Sequence, residues 1–479
     1  MSTVKSNFIW NSLYQIIRIF IPLVTMPVVT RALGSDNLGI YSYTYSIALY
    51  GTYFILLGLN QYGNREIAKV RDDKRLISKT FWSIFFGQFV IGCIVTLIYL
   101  LFYVSLEGAY RLCFMIWAIW LVAEIVDISW FFFGMEEFRI ISMRNTLIRV
   151  LAVIAIVLFV RVEDDLWLYC FIQSLAFAMN SVILWMMFKG RVGFYKPAAK
   201  EVLRHIPPNL KLFAPVIAIS CYTQLNNILL GYLTNMSQVA FYDNSNKITL
   251  IPLAIIQSLG MVLLPRMSRE LSRGRKADAI RFIGSSMWLS IAMSFGLFFG
   301  IVGVSFDFVP LFFGPDFEEC VQLIPLLSLI IVPCAISSVF GNQWLLPQGK
   351  DGLYLCSVLL GALVNIVLCL ALIPQFQAVG AAVAAIAAEI VVAASQAIFI
   401  KGSLPLARYA RDSLPFLLAG GVELVCIKLI SGLGIDPFPR LIMEIIAGIA
   451  VFVVVSFVIL VIKHDEHLAL IGLKRFQRR

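Results

Sequence analysis

The sequence predicts an all-α polytopic membrane protein with about fourteen transmembrane helices, arranged as two six-helix lobes around a central cavity plus two C-terminal helices. Three observations carry this. First, 60% of the 479 residues are hydrophobic and only 14% charged, with a mean hydropathy of +0.89, whereas a soluble chain is about a quarter charged. Second, apolar runs of the length that crosses a bilayer, about 20 residues, recur from end to end with short loops between them. Third, the basic residues alternate from loop to loop.

The runs fall at 8–30, 39–59, 80–104, 110–133, 146–162, 166–188, 212–233, 241–264, 282–304, 320–346, 353–374, 378–400, 413–433 and 440–462. The N-terminal run has one lysine before it, Lys5, and no small-residue cleavage site, so it reads as a retained helix. Of the 38 basic residues, 31 lie in segments on the N-terminal side, four (Arg31, Arg111, Arg161, Arg440) on the other, and three (Arg18, Lys247, Lys428) inside spans. That asymmetry places both termini in the cytoplasm and the chain in the inner (cytoplasmic) cell membrane, and it supports an even number of spans.

Several function classes drop out. Despite the pI of about 9.1, the basic residues sit in short loops between apolar runs, which argues against nucleic-acid binding. The nine cysteines lie in or beside apolar runs and form no C-x-x-C pair, so neither a disulfide framework nor a zinc site is supported. Gly349-Lys350 lacks the rest of a P-loop. No cofactor is expected beyond a coupling Na⁺ or H⁺. No loop is long enough for an outer catalytic domain, which argues against an enzyme.

The basic, proline-containing stretch 189–211 follows the sixth span, and the seventh and eighth spans echo the first two. Both pairs run from a Pro-interrupted helix through a short turn into Gly39-Ile-Tyr-Ser-Tyr or Ala240-Phe-Tyr-Asp-Asn. This suggests a six-plus-six parallel repeat: residues 1–205, residues 206–402, and an appended pair with a basic tail over 403–479.

Polar residues inside spans are the candidate site. In the first span Asn7, Asn11, Gln15, Arg18, Pro22 and Thr25 share one helical face. An arginine within a span faces protein or water rather than lipid. Arg18 either binds an anion in a central cavity or snorkels to the interface and pairs with a carboxylate. In the fourth span Trp117, Trp120, Glu124, Asp127 and Phe131 share a face. The two carboxylates either hold a coupling cation or sugar hydroxyls beside stacking tryptophans, or pair with a basic neighbour. Asn226 and Asn227 on the seventh span, with Asn246 and Lys247 on the eighth, extend the polar set. Asp243 and Lys247 are spaced to neutralise each other. Tyr41 and Tyr45 share a face, as substrate contacts or as interface-belt residues. Glu389 is a lone carboxylate beside the small-residue stripe Gly380, Ala384, Ala388, suited to ion coupling or to a structural hydrogen bond.

Several stretches resemble the Wzx-type oligosaccharide flippases, the polysaccharide-transporter branch of the multidrug/oligosaccharidyl-lipid/polysaccharide exporter superfamily. They are Pro22-Leu-Val-Thr-Met-Pro27 with Thr30-Arg-Ala-Leu-Gly34, Tyr62-Gly-Asn-Arg-Glu-Ile-Ala68, Asp127-Ile-Ser-Trp-Phe-Phe-Phe-Gly134 with Glu136-Glu137-Phe138, Leu264-Pro-Arg-Met-Ser268, and Gly380-Ala-Ala with Glu389. The resemblance implies alternating access and a substrate of short oligosaccharide on an undecaprenyl phosphate or pyrophosphate carrier, moved outward for surface polysaccharide such as capsule. It also implies, as partners, the polymerase and glycosyltransferases of such a pathway. On that reading Arg18, Arg31 and Lys247 would neutralise phosphate. Asn11, Gln15, Tyr41, Tyr45, Asn226, Asn227 and Asn246 would meet sugars, and Glu124, Asp127 and Glu389 would couple an ion. Competing readings are a flippase for lipid II or teichoic acid precursors and a drug or cation antiporter of the same superfamily.

Overall fold

A computed structural model describes the backbone of residues 2–103, 105, 108–272 and 275–463, and the side chains of these apart from 2–20, 108–109, 258–272 and 276. The described residues form helices and no named strand. The first unit holds α1 (Ser2–Leu56), α2 (Leu59–Val70), α3 (Lys74–Tyr103), α4 (Gly108–Ile125), α5 (Ser129–Gly134), α6 (Phe138–Phe159), α7 (Leu166–Phe188), α8 (Ala199–Thr223) and α9 (Leu225–Leu233). Then follow α10 (Met236–Ser272), α11 (Lys276–Phe312), α12 (Cys320–Ser328), α13 (Ile331–Ser338), α14 (Asp351–Phe399), α15 (Leu406–Ser431) and α16 (Pro437–Ile462). Nine of the described helical stretches are long and apolar enough to cross a membrane, ten when α8 and α9, bent by 45°, count as one. The chain is therefore a multi-pass membrane protein. The apolar residues on the outsides of its helices agree: Leu97 and Leu101 on α3, Leu151 and Leu158 on α6, Ile446 and Ile449 on α16 are exposed. In water such a surface would aggregate, but in hydrocarbon it matches its solvent.

Two long helices carry two expected spans each. Within α1 the helical path is interrupted at Gly34 (φ 72°), a left-handed backbone that glycine adopts without strain. That is the glycine of the Thr30–Gly34 stretch, so the turn sits between the first and second spans. Pro22 and Pro27 lie inside the helix, before this interruption. Within α14 the interruption is at Gln377 (φ 51°), between the eleventh and twelfth spans.

The chain divides into two compact units, residues 1–240 and 241–479. In the first, an aromatic core gathers Phe81 and Phe85 of α3, Trp130 and Phe131 of α5, and Trp185 and Phe188 of α7. The short helix α2 closes onto it at two glycines. A side chain at Gly63 would sit 2.7 Å from the Trp130 ring, and one at Gly134 would sit 2.6 Å from Ile67. Two of the stretches that carry the family resemblance, 62–68 and 127–134, therefore pack directly on each other. In the second unit α11, α15 and α16 pack together, and a second core gathers Ile283 and Met287 of α11, Trp344, and Tyr409 and Phe416 of α15.

Candidate functional site

The fourth expected span is broken. It comprises α4, ending at Ile125, and α5, starting at Ser129, although Val126-Asp127-Ile128 contains neither proline nor glycine. A break within a membrane frees backbone carbonyls that water cannot reach, so side chains must satisfy them. Gln88 of α3 does most of this. Its amide donates to the carbonyls of Glu124 (3.0 Å) and Asp127 (2.9 Å), and its Oε1 accepts from the Trp130 indole at 3.0 Å. The Trp185 indole donates to the Val126 carbonyl at 2.6 Å. The Asp127 carboxylate turns the chain into α5 by accepting from the Ser129 amide (3.1 Å) and hydroxyl (2.8 Å), a local Asx turn.

The break opens onto a cavity of about 280 Å³ lined by Glu124, Asp127, Arg144, Asn60, Asn145 and Asn180, with Trp120 and Phe177 as its aromatic wall. Asp127 is buried and half-buried Glu124 accepts from the Trp120 indole at 3.1 Å. Arg144 is also buried. Its guanidinium donates to Asn145 Oδ1 from Nε (3.1 Å) and Nη2 (2.7 Å), and to the Asn180 carbonyl from Nη1 (2.9 Å), and it lies close enough to act on the Asp127 charge.

A run of rings leads along α1 to this cavity. Tyr41 stacks on Tyr45 (5.8 Å between centroids, 6° between planes), Tyr45 on Trp120 (5.6 Å, 11°) and Trp120 on Phe177 (4.2 Å, 18°). Trp117 sits beneath, its indole donating to the Thr44 hydroxyl at 3.1 Å. Flat apolar faces, carboxylates and a guanidinium in one place suit a ligand with apolar ring faces and many hydroxyls. Among the described residues, no group of three or more His, Cys, Asp or Glu is placed to hold a metal.

The fourth-span face read from the sequence thus holds from Trp117 to Asp127, while Phe131 lies beyond the break in the aromatic core. Tyr41 is buried and Tyr45 half-buried, and both stack on neighbouring rings. Arg31 is exposed on α1. Asn226 and Asn227 are buried on α9, and Asn227 donates to the Ser46 hydroxyl at 3.2 Å. In the second unit Asn246 is half-buried and Lys247 pairs with Asp243 at 2.6 Å, the local neutralisation that the spacing suggests. Glu389 is half-buried and bonded to the Cys334 thiol. The side chains of Asn11, Gln15 and Arg18 lie outside the described residues. Sequence reasoning missed Arg144, counted with a loop at 139–149. The available signal was the apolar run from Phe138, which starts α6 before residue 146. It also missed Gln88, whose partners lie 36 and 39 residues away.

Comparison with known proteins agrees with this architecture. The chain matches a family model described as polysaccharide biosynthesis protein over residues 4–271. A protein named for O-antigen transport in Escherichia coli (strain K12) is 25% identical over 407 residues, covering 84% of this chain and 97% of that protein. A protein of Haloferax volcanii, named as a low-salt glycan biosynthesis flippase, is 23% identical over 228 residues, 47% of this chain and 48% of that protein. The lipid II flippase MurJ in an inward closed conformation superposes with a TM-score of 0.75 at 12% identity, over 95% of this chain and 98% of that one. An inward-facing multidrug resistance transporter superposes with a TM-score of 0.55 at 12% identity, over 87% and 100%. Those two likenesses speak for the fold. The family match, spanning more than half the chain, bears out the Wzx-type resemblance: the chain belongs to the polysaccharide biosynthesis protein family.

Proposed function

We propose that the chain moves lipid-linked oligosaccharides across the membrane as a flippase. The observation that carries the reading is the stacked series Tyr41, Tyr45, Trp120 and Phe177 ending at a polar cavity inside an otherwise apolar bundle. A glycan headgroup cannot cross hydrocarbon unaided, because each polar group stripped of water without a partner is costly. Ring faces and hydrogen-bonding side chains at membrane depth replace that water. The carrier lipid is undecaprenyl phosphate or pyrophosphate, moved from the cytoplasmic to the outer face of the cell membrane, with both termini cytoplasmic. Arg18, Arg31 and Lys247 meet phosphate; Asn11, Gln15, Tyr41, Tyr45, Asn226, Asn227 and Asn246 meet sugars. Glu124, Asp127 and Glu389 hold a coupling Na⁺ or H⁺. Residues 1–205 and 206–402 act as the two lobes of an alternating-access cycle, with 403–479 appended. An inside-negative potential favours outward movement of the anionic headgroup by about 2.3 kcal/mol per charge per 100 mV.

The test is reconstitution into vesicles with a fluorescent lipid-linked oligosaccharide, scoring access of added glycosidase from the far side. Wild-type chain should equilibrate the label and Arg18→Ala should not. Equal rates with and without protein would overturn the reading. A second reading, export of organic cations, is favoured by the two carboxylates facing one guanidinium in the cavity. Vesicle efflux of a fluorescent cation, with no glycolipid movement, would select it.

A further inference from the structure

Two carboxylates in the second unit lie on long apolar helices and have no part in the proposed path: Glu423 on α15 and Glu444 on α16. They are 2% and 0% exposed. Both line a cleft of about 500 Å³ between α11, α15 and α16, with Ile255 of α10 at its edge, whose other walls are apolar, among them Leu297, Ile301, Ile427 and Phe452. Its rim residues Ile449 and Val453 are exposed, so the cleft opens on the lipid-facing side of the unit.

The two acids differ in their surroundings. Glu444 is one turn along α16 from Arg440 and sits against the ion pair that Arg440 makes with Asp307 of α11, where Nε donates to Oδ2 at 2.9 Å. That cluster adjoins the exposed connection 432–439. Glu423 has no such help. Its Oε2 is buried without a hydrogen-bond partner, as are both oxygens of Glu444, but Glu444 has a charged pair beside it and Glu423 has none. Its Oε1 fills a slot between two glycines, where a Cβ on Gly300 would lie 3.1 Å away and one on Gly448 would lie 3.4 Å away. The charged groups of the packed helices are engaged elsewhere or distant along the chain. Lys428 lies over the Phe306 ring, Arg408 pairs with Asp412, Arg440 pairs with Asp307, Lys247 of α10 pairs with Asp243, and Arg411, Asp278 and Arg281 lie towards the opposite ends of α15 and α11. Among the described residues none acts on Glu423, and none forms a metal-holding group with it.

An isolated carboxylate in apolar surroundings does not stay charged. The glycines and apolar side chains around it offer no ligands with which to hold a metal ion, and the neutralising cation that needs no further ligand is a proton. We propose that Glu423 is a proton-binding site, fed from the membrane surface past the Asp307–Arg440–Glu444 cluster. Losing the proton leaves an uncompensated charge where α11, α15 and α16 cross, so proton binding and the fit of the three helices are linked.

The test uses the full chain in membranes and the apolar reagent dicyclohexylcarbodiimide, which the lipid-facing cleft admits. A protonated carboxyl adds across its N=C=N unit. The acid proton goes to one nitrogen, the carboxyl oxygen bonds to the central carbon, and nothing leaves. Peptide mass spectrometry should find the adduct on Glu423 of the wild-type chain. Its yield should fall at least about tenfold from mildly acidic to alkaline pH. Glu423→Gln should remove the adduct, and Glu444→Gln should leave Glu423 reactive. An unlabelled Glu423, labelling that ignores pH, or label confined to Glu444 overturns the proposal. The decisive measurement is on the wild-type chain, so a variant that fails to insert does not block it. The assay reads no transport, so its outcome is separate from that of the flippase reading.

Discussion

Two pairs of membrane-embedded acids, one in each unit, are accommodated in opposite ways. Glu124 and Asp127 sit where a helix is broken. Their region recruits Gln88, Trp185, Ser129 and Arg144, so the freed carbonyls and Asp127 itself have hydrogen-bond partners. Glu423 and Glu444 sit on unbroken helices in an apolar cleft, and one oxygen of Glu423 and both of Glu444 are buried without a hydrogen-bond partner. The first arrangement is a polar cavity that can meet a polar ligand. The second is a larger cleft, but an apolar one whose walls offer Glu423 no partner. The difference shows that a carboxylate in a membrane helix indicates function only together with what surrounds it.

The largest expected effect tests the polar arrangement. Arg144→Ala removes the cation facing Asp127 and leaves a buried acid uncompensated, which costs about 3–5 kcal/mol. Thermal unfolding in detergent should register that loss, and glycolipid movement should fall by about 100-fold or more. Arg144→Lys should recover only part, because an ammonium lacks the fork that spans Asn145 and Asn180. Normal transport by Arg144→Ala would remove the cavity from the path.

Next is Gln88→Leu, which leaves the Asp127 carbonyl and the Trp130 indole unpaired, while the Glu124 carbonyl keeps the Asp127 amide at 3.2 Å. At about 1 kcal/mol or more for each orphaned group, it should destabilise the first unit by about 2 kcal/mol. The contrasting change in the second unit, Glu423→Gln, removes no partner and should stay within about 1 kcal/mol of wild type. If the two variants unfold alike, the distinction between the pairs fails.

A smaller effect separates binding from folding. Trp120→Leu keeps apolar bulk but removes the ring between Tyr45 and Phe177. Transport should fall by about tenfold, equivalent to about 1.4 kcal/mol, on top of a stability loss of about 1–3 kcal/mol from the buried ring and its bond to Glu124. A change in stability without a change in transport would make the stack merely structural.

The smallest effect sets the baseline. Asp73, outside both pairs, accepts from the amides of Arg75 (2.8 Å) and Leu76 (3.0 Å) at the start of α3. These bonds hold its carboxyl below the usual carboxylate range. A depressed folded value means that its stabilisation is present above about pH 4 and is lost as pH falls through the folded value. Asp73→Asn should therefore flatten the acid limb of stability slightly and change transport not at all.

The sequence alone determined the all-helical membrane class, the positions of the apolar runs, a short turn between the first two of them and the face shared by Trp117, Trp120, Glu124 and Asp127. These follow from local rules: about 20 apolar residues to cross hydrocarbon, and three- and four-residue steps on a helix. Only the tertiary structure decided that the fourth span breaks at Val126–Ile128, because no proline or glycine marks it and the groups that make it tolerable come from α3 and α7. The same holds for Arg144, whose place inside α6 depends on Asn180 of α7 accepting from it, and for Glu423, whose neighbours Gly300 and Gly448 are more than 100 and about 25 residues away in the chain. Periodicity reports which side of its own helix a residue occupies. Whether that side meets lipid, a cavity or an opposing charge is set by side chains distant in sequence, through packing that no local pattern records.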